Sequence, residues 1–295
     1  MLRSWQEITG SRFDLGLKTK LERSHLLEAK NAIELWQNNT PPEATGVQKI
    51  FGVPSLVVSM DCAPNHSLNI MDIEGGAGGL GLAQLINDPL ARRLEEHKKN
   101  WPELRFIASR KMLAKHDYDL WLEDAEGHDL ENGDLLFVVA GPGEMLNYRN
   151  VSASLLLTRG DKTYGENWLW SNAGLDDFER LFNHWPEGFC LKSQNSRQMK
   201  GLYIFHPRRG FLDRRGIHGA STRHQIFRAL EDNETMYCQP FQSGVFAFGE
   251  IPTIHRLFFF YDVKMREYVY AGGLLISRPS LKTCSVYNAT FGFVN

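Results

Sequence analysis

Apolar residues recur at helical spacing between Thr19 and Asn38, in the stretch TKLERSHLLEAKNAIELWQN. This period predicts an amphipathic helix. The following NNTPPEATG ends it, because paired prolines lack amide donors and disfavour helix before them. The next apolar runs, PSLVVSM and SLNIMDI, are short and are separated by the turn-rich DCAPNH. They predict the two strands of a hairpin.

A glycine-rich loop, GGAGGLG, follows the hairpin. The stretch LAQLINDPLARRLEEHKKN predicts a helix that restarts at Asp88-Pro89, since Asp can cap a helix and Pro suits its first turn. Strands are then predicted at WPELRFIAS, GDLLFVVAGP and SASLLLTRGD, while DYDLWLED fits either a helix or a strand. Strands spaced by helices favour α/β or α+β layers.

The pattern changes near Gly188, where strands become closely spaced. GFCLKSQ and KGLYIFHP predict an antiparallel pair, HGASTRHQIFRALEDN predicts a helix, and four further strands are expected in TMYCQPF, HRLFFFYDV, REYVYAGGLLISR and KTCSVYNA. We therefore expect three parts. Residues 1–50 form an N-terminal helical segment, residues 51–187 hold the hairpin and an α/β lobe, and residues 188–295 form a second lobe.

Composition narrows the class of protein. The chain has 295 residues, 42% of them apolar and 23% charged, which suits one large domain or two modest ones. A net charge of −2 gives no sign of the basic surface that nucleic-acid binding requires. The four cysteines are scattered, which argues against a zinc site or a disulfide framework and favours a reduced, cytoplasmic protein. Neither a signal peptide nor a membrane span is expected.

Two acidic residues of the predicted hairpin, Asp61 and Glu74, are thirteen positions apart. Opposed strands would bring their carboxylates close together. Like charges at that separation repel unless a cation lies between them, and magnesium prefers hard oxygen ligands. The alternative is that both carboxylates simply face water at the hairpin.

A lysine, Lys192, stands in the middle of an apolar strand. Burying it is costly unless it meets an anion such as a nucleotide phosphate. The alternative is a lysine on the solvent face of an edge strand. Further along, Gln239 precedes a proline at a position suited to a hinge, and Arg256 and Arg278 offer planar forks for phosphate or carboxylate.

This order of residues resembles the ATP-grasp superfamily. FCLKS, YCQPF and HRLFF match the strand lysine, the hinge and the later arginine of that family. The hairpin precedes the lysine, which is similar to the circularly permuted branch containing glutathionylspermidine synthetase and the eukaryotic type of glutathione synthetase. The resemblance covers about residues 55–295 in outline. It implies an α+β fold with two antiparallel-sheet lobes and helices enclosing a nucleotide cleft.

The resemblance also implies a role for each site residue, with ATP and Mg²⁺ as cofactors. Asp61 and Glu74 would hold the metal with Asn288 as helper, Lys162 and Lys192 the phosphates, and Gln239 and Phe241 the rest of the nucleotide, while Arg256 and Arg278 would act on the transferring phosphoryl group. There are departures from the family pattern. Gly76 replaces the usual asparagine, so that either Asn288 or Asp72 takes over its ligand role or the metal site is depleted. Lys162 fits a surface turn equally well.

The implied reaction is an ATP-dependent carboxylate–amine ligation through an acylphosphate. Its substrates would be a small carboxylate and a small amine. Neither nucleic acid nor a membrane is expected as a partner, and the chain could form a homodimer. Two alternatives remain. One is a small-molecule kinase on the same scaffold. The other is a non-catalytic binding protein on a decayed ATP-grasp fold, which Gly76 makes credible.

Overall fold

The computed structural model describes residues 6, 9–39, 52–53, 55–64, 66–75, 78–102, 104–108, 123–124, 135–140, 155–156, 168–170, 180–181, 183–193, 202–206, 210–212, 236–241, 245–248, 251–279 and 288–295. Within these residues the fold is mixed α/β.

The largest sheet has seven strands, with β14 near its centre. Its order is β1-β16-β15-β14-β2-β3, and β13 pairs with β14 beyond the end of β2. The strands are β1 (Arg12–Thr19), β2 (Val57–Pro64), β3 (Leu68–Gly75), β13 (Val245–Phe248), β14 (Ile251–Asp262), β15 (Glu267–Ser277) and β16 (Thr290–Val294). Its pairings are antiparallel except for β1 with β16, which is parallel.

Three helices cover this sheet on its two faces. They are α1 (Arg23–Asn39), α2 (Leu80–Ile86) and α3 (Asp88–Lys99). On one face, His97 of α3 stacks on Phe260 of β14. On the other face, His25 of α1 lies close enough to His255 of β14 to act on its charge. Successive strand residues point to opposite faces, and positions 255 and 260 are an odd number of residues apart. They therefore lie on opposite faces, and the sheet lies between α1 and α3.

The strand β14 is buried over almost its whole length, from Thr253 to Tyr261. Its apolar residues face helices on both sides, which explains why RLFFFYDV lacks the alternation of a half-exposed strand. Asn87, itself 1% exposed, ties helix to sheet. Its side chain caps α3 by accepting from the amide of Leu90, and its Nδ2 donates to the carbonyl of Val294 at 3.2 Å.

Two smaller sheets complete the described part. One has five strands in the order β11-β10-β9-β12-β8, and the other has four in the order β5-β4-β6-β7. The bounds are β4 (Leu104–Ala108), β5 (Glu123–Asp124), β6 (Leu135–Ala140), β7 (Leu155–Leu156), β8 (Trp168–Trp170), β9 (Phe189–Ser193), β10 (Leu202–His206), β11 (Gly210–Leu212) and β12 (Met236–Pro240). The five-stranded sheet is antiparallel, whereas the four-stranded sheet is parallel. The parallel sheet differs from the family resemblance, which implies two lobes that both contain antiparallel sheets.

Most of the predicted elements that fall on described residues are confirmed. The hairpin is present, although its strands extend through DCAP. The helix restarts at Asp88-Pro89 as predicted, although Asn87 caps it instead of Asp88, and the antiparallel pair after Gly188 is β9 with β10. The first helix begins at Arg23 instead of Thr19. The helix predicted in HGASTRHQIFRALEDN lies outside the described residues, as does most of the strand predicted in KTCSVYNA.

The seven-stranded sheet does not divide at residue 188. Strands β2 and β3 come from the second predicted part, and β2 pairs with β14 from the third, while β1 comes from the first. The hairpin therefore belongs to the same sheet as the strand that carries Arg256. None of the described helices is long and apolar enough to cross a membrane.

Candidate functional site

Asp61 and Arg256 form a buried, bidentate salt bridge at the centre of the seven-stranded sheet. The Nε and Nη2 atoms of Arg256 donate to Oδ1 and Oδ2 of Asp61, each at 2.7 Å. The two residues are register partners across β2 and β14, and their side chains are 7% and 8% exposed, respectively. This fork-to-carboxylate geometry is the strongest form that such a pair takes. It joins two predicted site residues directly to each other.

Two further acidic positions share the sheet face of this pair. Asp72 stands opposite Asp61 in the β2–β3 hairpin, and Glu74 stands opposite Ser59. Since cross-strand partners and alternate residues point the same way, Asp61, Asp72 and Glu74 all belong to one face. The Oδ1 atom of Asp72 is buried and has no hydrogen-bond partner. The guanidinium of Arg256 thus meets a face with three carboxylates.

The same guanidinium reaches the glycine turn that follows the hairpin. The Nη1 atom of Arg256 donates to the carbonyl oxygen of Gly78 at 3.1 Å. Gly79 then begins α2 with φ 87°, a left-handed conformation that a residue with a Cβ rarely adopts. A Cβ on Gly79 would lie 3.4 Å from Nη1 of Arg256. The turn is therefore packed against the ion pair.

Gln239 of β12 connects the five-stranded sheet to the acidic hairpin. Its Nε2 atom donates to the carbonyl oxygen of Met71 on β3 at 3.3 Å. Met71 falls where the register shifts between Asp61↔Asp72 and Cys62↔Ile70, so it is the bulged residue of β3. A bulge turns backbone groups away from the ladder, and here the carbonyl oxygen of Met71 accepts a hydrogen bond from the side-chain amide of Gln239.

Lys192 occupies a register position on the Gln239 face of the five-stranded sheet. On β9, position 192 stands opposite Leu202 and Tyr237, and position 190 stands opposite Gln239. Residues two apart on a strand share a face, so positions 190, 192, 237 and 239 lie together. Phe241 continues this face. It packs against the cluster of Cys190 and Ile204, and its amide donates to the carbonyl of Gly188 at 3.0 Å.

Arg278 lies on the Arg256 side of the large sheet but further along it. Its amide donates to the carbonyl of Pro252 at 3.0 Å, and it is four residues beyond Leu274, the register partner of Arg256. At the rise of a strand this separates the two arginine positions by about 13 Å. The structure therefore brings them to one face without bringing them into contact.

Asn288 is not brought to the acidic hairpin. It precedes β16, has φ 54°, and donates its amide to the carbonyl of Thr9 at 2.9 Å. The register places it three strands from Asp61 and about five residues along the sheet, roughly 20 Å away. As a helper for a metal at Asp61 it is misplaced. Lys162 lies outside the described residues.

The described carboxylates do not form a ready magnesium site. Both oxygens of Asp61 already accept from Arg256, which neutralises the charge that would attract a cation. Among the residues that the structure describes, no group of three His, Cys, Asp or Glu side chains is placed to hold a metal ion. The buried, unpaired oxygen of Asp72 is of the kind that suits a hard cation, and by itself it does not make a site.

The described cysteines are unsuited to nucleophilic chemistry. Cys62, Cys190 and Cys238 are free thiols, and all three are buried. Burial raises the pKa of the Cys62 and Cys238 thiols well above the usual range, so that neither forms the reactive thiolate. This leaves charged and amide groups as the chemistry of the candidate site.

Two backbone carbonyls escaped the sequence analysis, those of Met71 and Gly78. The glycine-rich loop that contains Gly78 is evident in the sequence, but its contact with Arg256 is not. Nothing in the sequence marks Met71, because its role follows from a bulge. No family model matches the chain, and no curated protein matches it. The assignment to a class therefore rests on the residues themselves.

Proposed function

We propose that the protein is an ATP-dependent ligase that joins a small carboxylate to a small amine. One observation carries this proposal: Arg256 meets Asp61 across the sheet although 195 positions separate them in sequence. The ATP-grasp resemblance requires an acidic hairpin from the front of the chain to converge with basic residues from the rear. The contact between Gln239 and Met71 supports the same convergence from the second sheet.

In this proposal the sheet face that contains positions 192 and 239 holds the nucleotide. Lys192 and Lys162 would neutralise phosphate oxygens, and Gln239 and Phe241 would contact the base and ribose at the hinge. Arg278 would approach the transferring phosphoryl group from the large sheet, and Arg256 would do so once its bonds to Asp61 are exchanged. Positioning and charge neutralisation are the main requirements of phosphoryl transfer.

The reaction would proceed in two balanced steps. A carboxylate oxygen of the acid attacks the γ-phosphorus of ATP, and ADP leaves, so that an acylphosphate forms. The amine then attacks the acyl carbon, phosphate leaves with the bonding electrons, and the amine loses a proton. We derive no step through magnesium, because Asp61 is committed to Arg256 in this arrangement.

Calorimetric titration with ATP, with and without MgCl₂, tests nucleotide binding directly. We expect saturable binding with one nucleotide per chain. Phosphate release in the presence of mixed small amines and carboxylates then tests ligation, with each class omitted in turn as a control. Absence of nucleotide binding under both conditions would refute the proposal. Phosphate release that needs the carboxylate and ignores the amine would point to the kinase alternative.

The Asp61–Arg256 pair also favours a second candidate, a binding protein on a decayed ATP-grasp scaffold. In it the pair would be permanent, with the former metal ligand and the former phosphate ligand neutralising each other. Such a protein would bind no magnesium nucleotide in the calorimetric experiment. We retain the cytoplasm as the proposed location, since the described cysteines are free thiols.

A further inference from the structure

The outward face of α1 differs in composition from that of α3. Between residues 24 and 38, all of which the structure describes, α1 exposes Ser24, Leu27, Asn31, Glu34, Leu35 and Asn38. One of these six residues is charged. On α3, six of the seven exposed residues are charged, namely Asp88, Arg92, Arg93, Glu95, Glu96 and Lys99. The solvent side of a surface helix normally resembles that of α3, whereas exposed apolar side chains with few charges are typical of the core of an interface.

Contacts on both flanks of α1 fix which side of the helix faces outward. Oε2 of Glu28 accepts from the amide of Leu68 on β3 at 2.6 Å. On the other flank, Nζ of Lys30 lies 3.3 Å from a carboxylate oxygen on β15. These charged side chains therefore turn toward the sheet, while Leu27 and Leu35 are held at the surface with 61% and 50% of their area exposed.

The exposed residues of α1 are arranged symmetrically about Asn31. Leu27 and Leu35 are four positions to either side of it, and Ser24 and Asn38 are seven. Residues at these spacings share one side of a helix, so the five form a continuous surface, which we call the α1 stripe. Reversing the direction of the helix leaves the order of side chains the same: polar, leucine, asparagine, leucine, polar. Such a surface is self-complementary, as an interface between two copies of one chain requires.

We propose that the α1 stripe is the interface of a homodimer in which the two α1 helices pack antiparallel. With Asn31 at the two-fold axis, Leu27 of each copy packs on Leu35 of the other, and the two Asn31 amides hydrogen-bond across the axis. Antiparallel packing also places the positive end of each helix dipole beside the negative end of the other. Since α1 lies on the sheet face of His255, the dimer leaves the opposite face, which carries Arg256, open. The proposal does not depend on the proposed function.

The length of α1 sets the expected affinity. Its 17 residues extend about 25 Å, and the area between two helices of this length lies at or below the lower limit of stable interfaces, about 1,200 Å². We therefore expect the monomer and the dimer to be in equilibrium, with a dissociation constant on the order of 10 μM.

Sedimentation velocity of the full chain from about 1 to about 100 μM measures this equilibrium. The wild-type protein should shift from monomer toward dimer. Leu27→Glu and Leu35→Glu should each weaken the dimer at least about tenfold, because a charge would be buried without a partner, while circular dichroism stays the same. Leu85→Glu is the matched control, since Leu85 is an exposed leucine of α2, and it should dimerise as the wild type does. A monomer at every concentration, or a dimer that both α1 variants leave unchanged, would overturn the proposal.

Oxidative cross-linking of cysteine variants tests the antiparallel arrangement. In Asn31→Cys the two new thiols meet at the two-fold axis, within reach of a disulfide. A mixture of Leu27→Cys and Leu35→Cys should cross-link at least about tenfold faster than either variant alone, because each position faces the other one across the interface. Glu95→Cys, at an exposed position of α3, is the control and should not cross-link. Preferential cross-linking of Leu27→Cys with itself would overturn the antiparallel arrangement.

Discussion

The imidazole of His97 stacks on the ring of Phe260, with centroids 4.9 Å apart and an angle of 28° between the planes. His97 is 5% exposed, and its Nε2 atom has no hydrogen-bond partner. Burial lowers its pKa to about 4, opposed in part by the nearby Asp262. On the other face of β14, burial and then His25 lower the pKa of His255 to about 4. Two neutral histidines are thus built into the core.

The first prediction is a loss of stability as the pH falls below about 6.5. Both histidines have a folded-state pKa below the unfolded value of 6.5, so the unfolded chain binds more protons as the pH falls through 6.5 toward 4. Between pH 7 and pH 5, each should lower the free energy of unfolding by about 2 kcal/mol. Urea denaturation at the two pH values measures this effect.

A variant and a control distinguish the contribution of His97 to the pH dependence from that of the other titrating groups. His97→Leu should remove its own share of the pH dependence, whereas His66→Gln, at an exposed position, should leave the dependence as it is. An equally steep dependence in His97→Leu would show that His97 is not buried and neutral in solution.

The second prediction concerns the buried ion pair. Arg256→Met leaves Asp61 buried without its partner and should lower the free energy of unfolding by about 3–5 kcal/mol. The double variant Asp61→Leu/Arg256→Met removes both charges and should recover most of that loss. Denaturant midpoints of the two variants test this. A single variant that loses less than about 1 kcal/mol would mean that the pair is solvated and weak.

The third prediction tests the role of Lys192. Under the proposed function, Lys192→Ala should lower ATP turnover by about a hundredfold or more while circular dichroism and the unfolding midpoint stay the same, because a phosphate would lose its neutralising charge. Lys18→Ala, an exposed lysine on β1, is the control and should keep full turnover. If Lys192→Ala keeps wild-type turnover, the lysine does not belong to the site.

The fourth prediction concerns Gly292 of β16. A Cβ at this position would overlap the backbone carbonyl of Leu17 on β1. Gly292→Ala should therefore push β1 from β16 and destabilise the fold by about 1–3 kcal/mol. Gly16→Ala is the control, since its Cβ would meet only a side-chain oxygen, that of Asp14 at 3.2 Å. Equal stability of the two variants would contradict the close approach of β1 and β16.

Sequence reasoning succeeded where the signals are local. The hairpin and the helix restart at Asp88-Pro89 follow from turn residues and hydrophobic period within about twenty positions, although Asn87 caps the helix instead of the predicted Asp88. It did not find β1, although Phe13, Leu15 and Leu17 alternate as in a strand. That alternation is short, and Leu15 is 63% exposed, so pairing with β16 decides the conformation.

The sequence predicted several residues of the candidate site, but it did not predict which of them contact each other. Asp61 and Arg256 were both expected at one site, but the register of β2 on β14 makes them partners of each other. Sheet register depends on packing between distant segments, which a single sequence does not encode visibly. The same limit applies to Asn288, whose position depends on three strand pairings.

The parallel pairing of β1 with β16 has a consequence for biosynthesis. Arg12 donates from Nε to Oγ1 of Thr290 at 2.9 Å, across a separation of 278 positions. Such pairing is slow, since a long loop has to close first. On the ribosome, β15 must wait with an open edge until Val294 has emerged, and unpaired edges recruit other chains. Chaperones that shield nascent strands should therefore raise the yield of this protein.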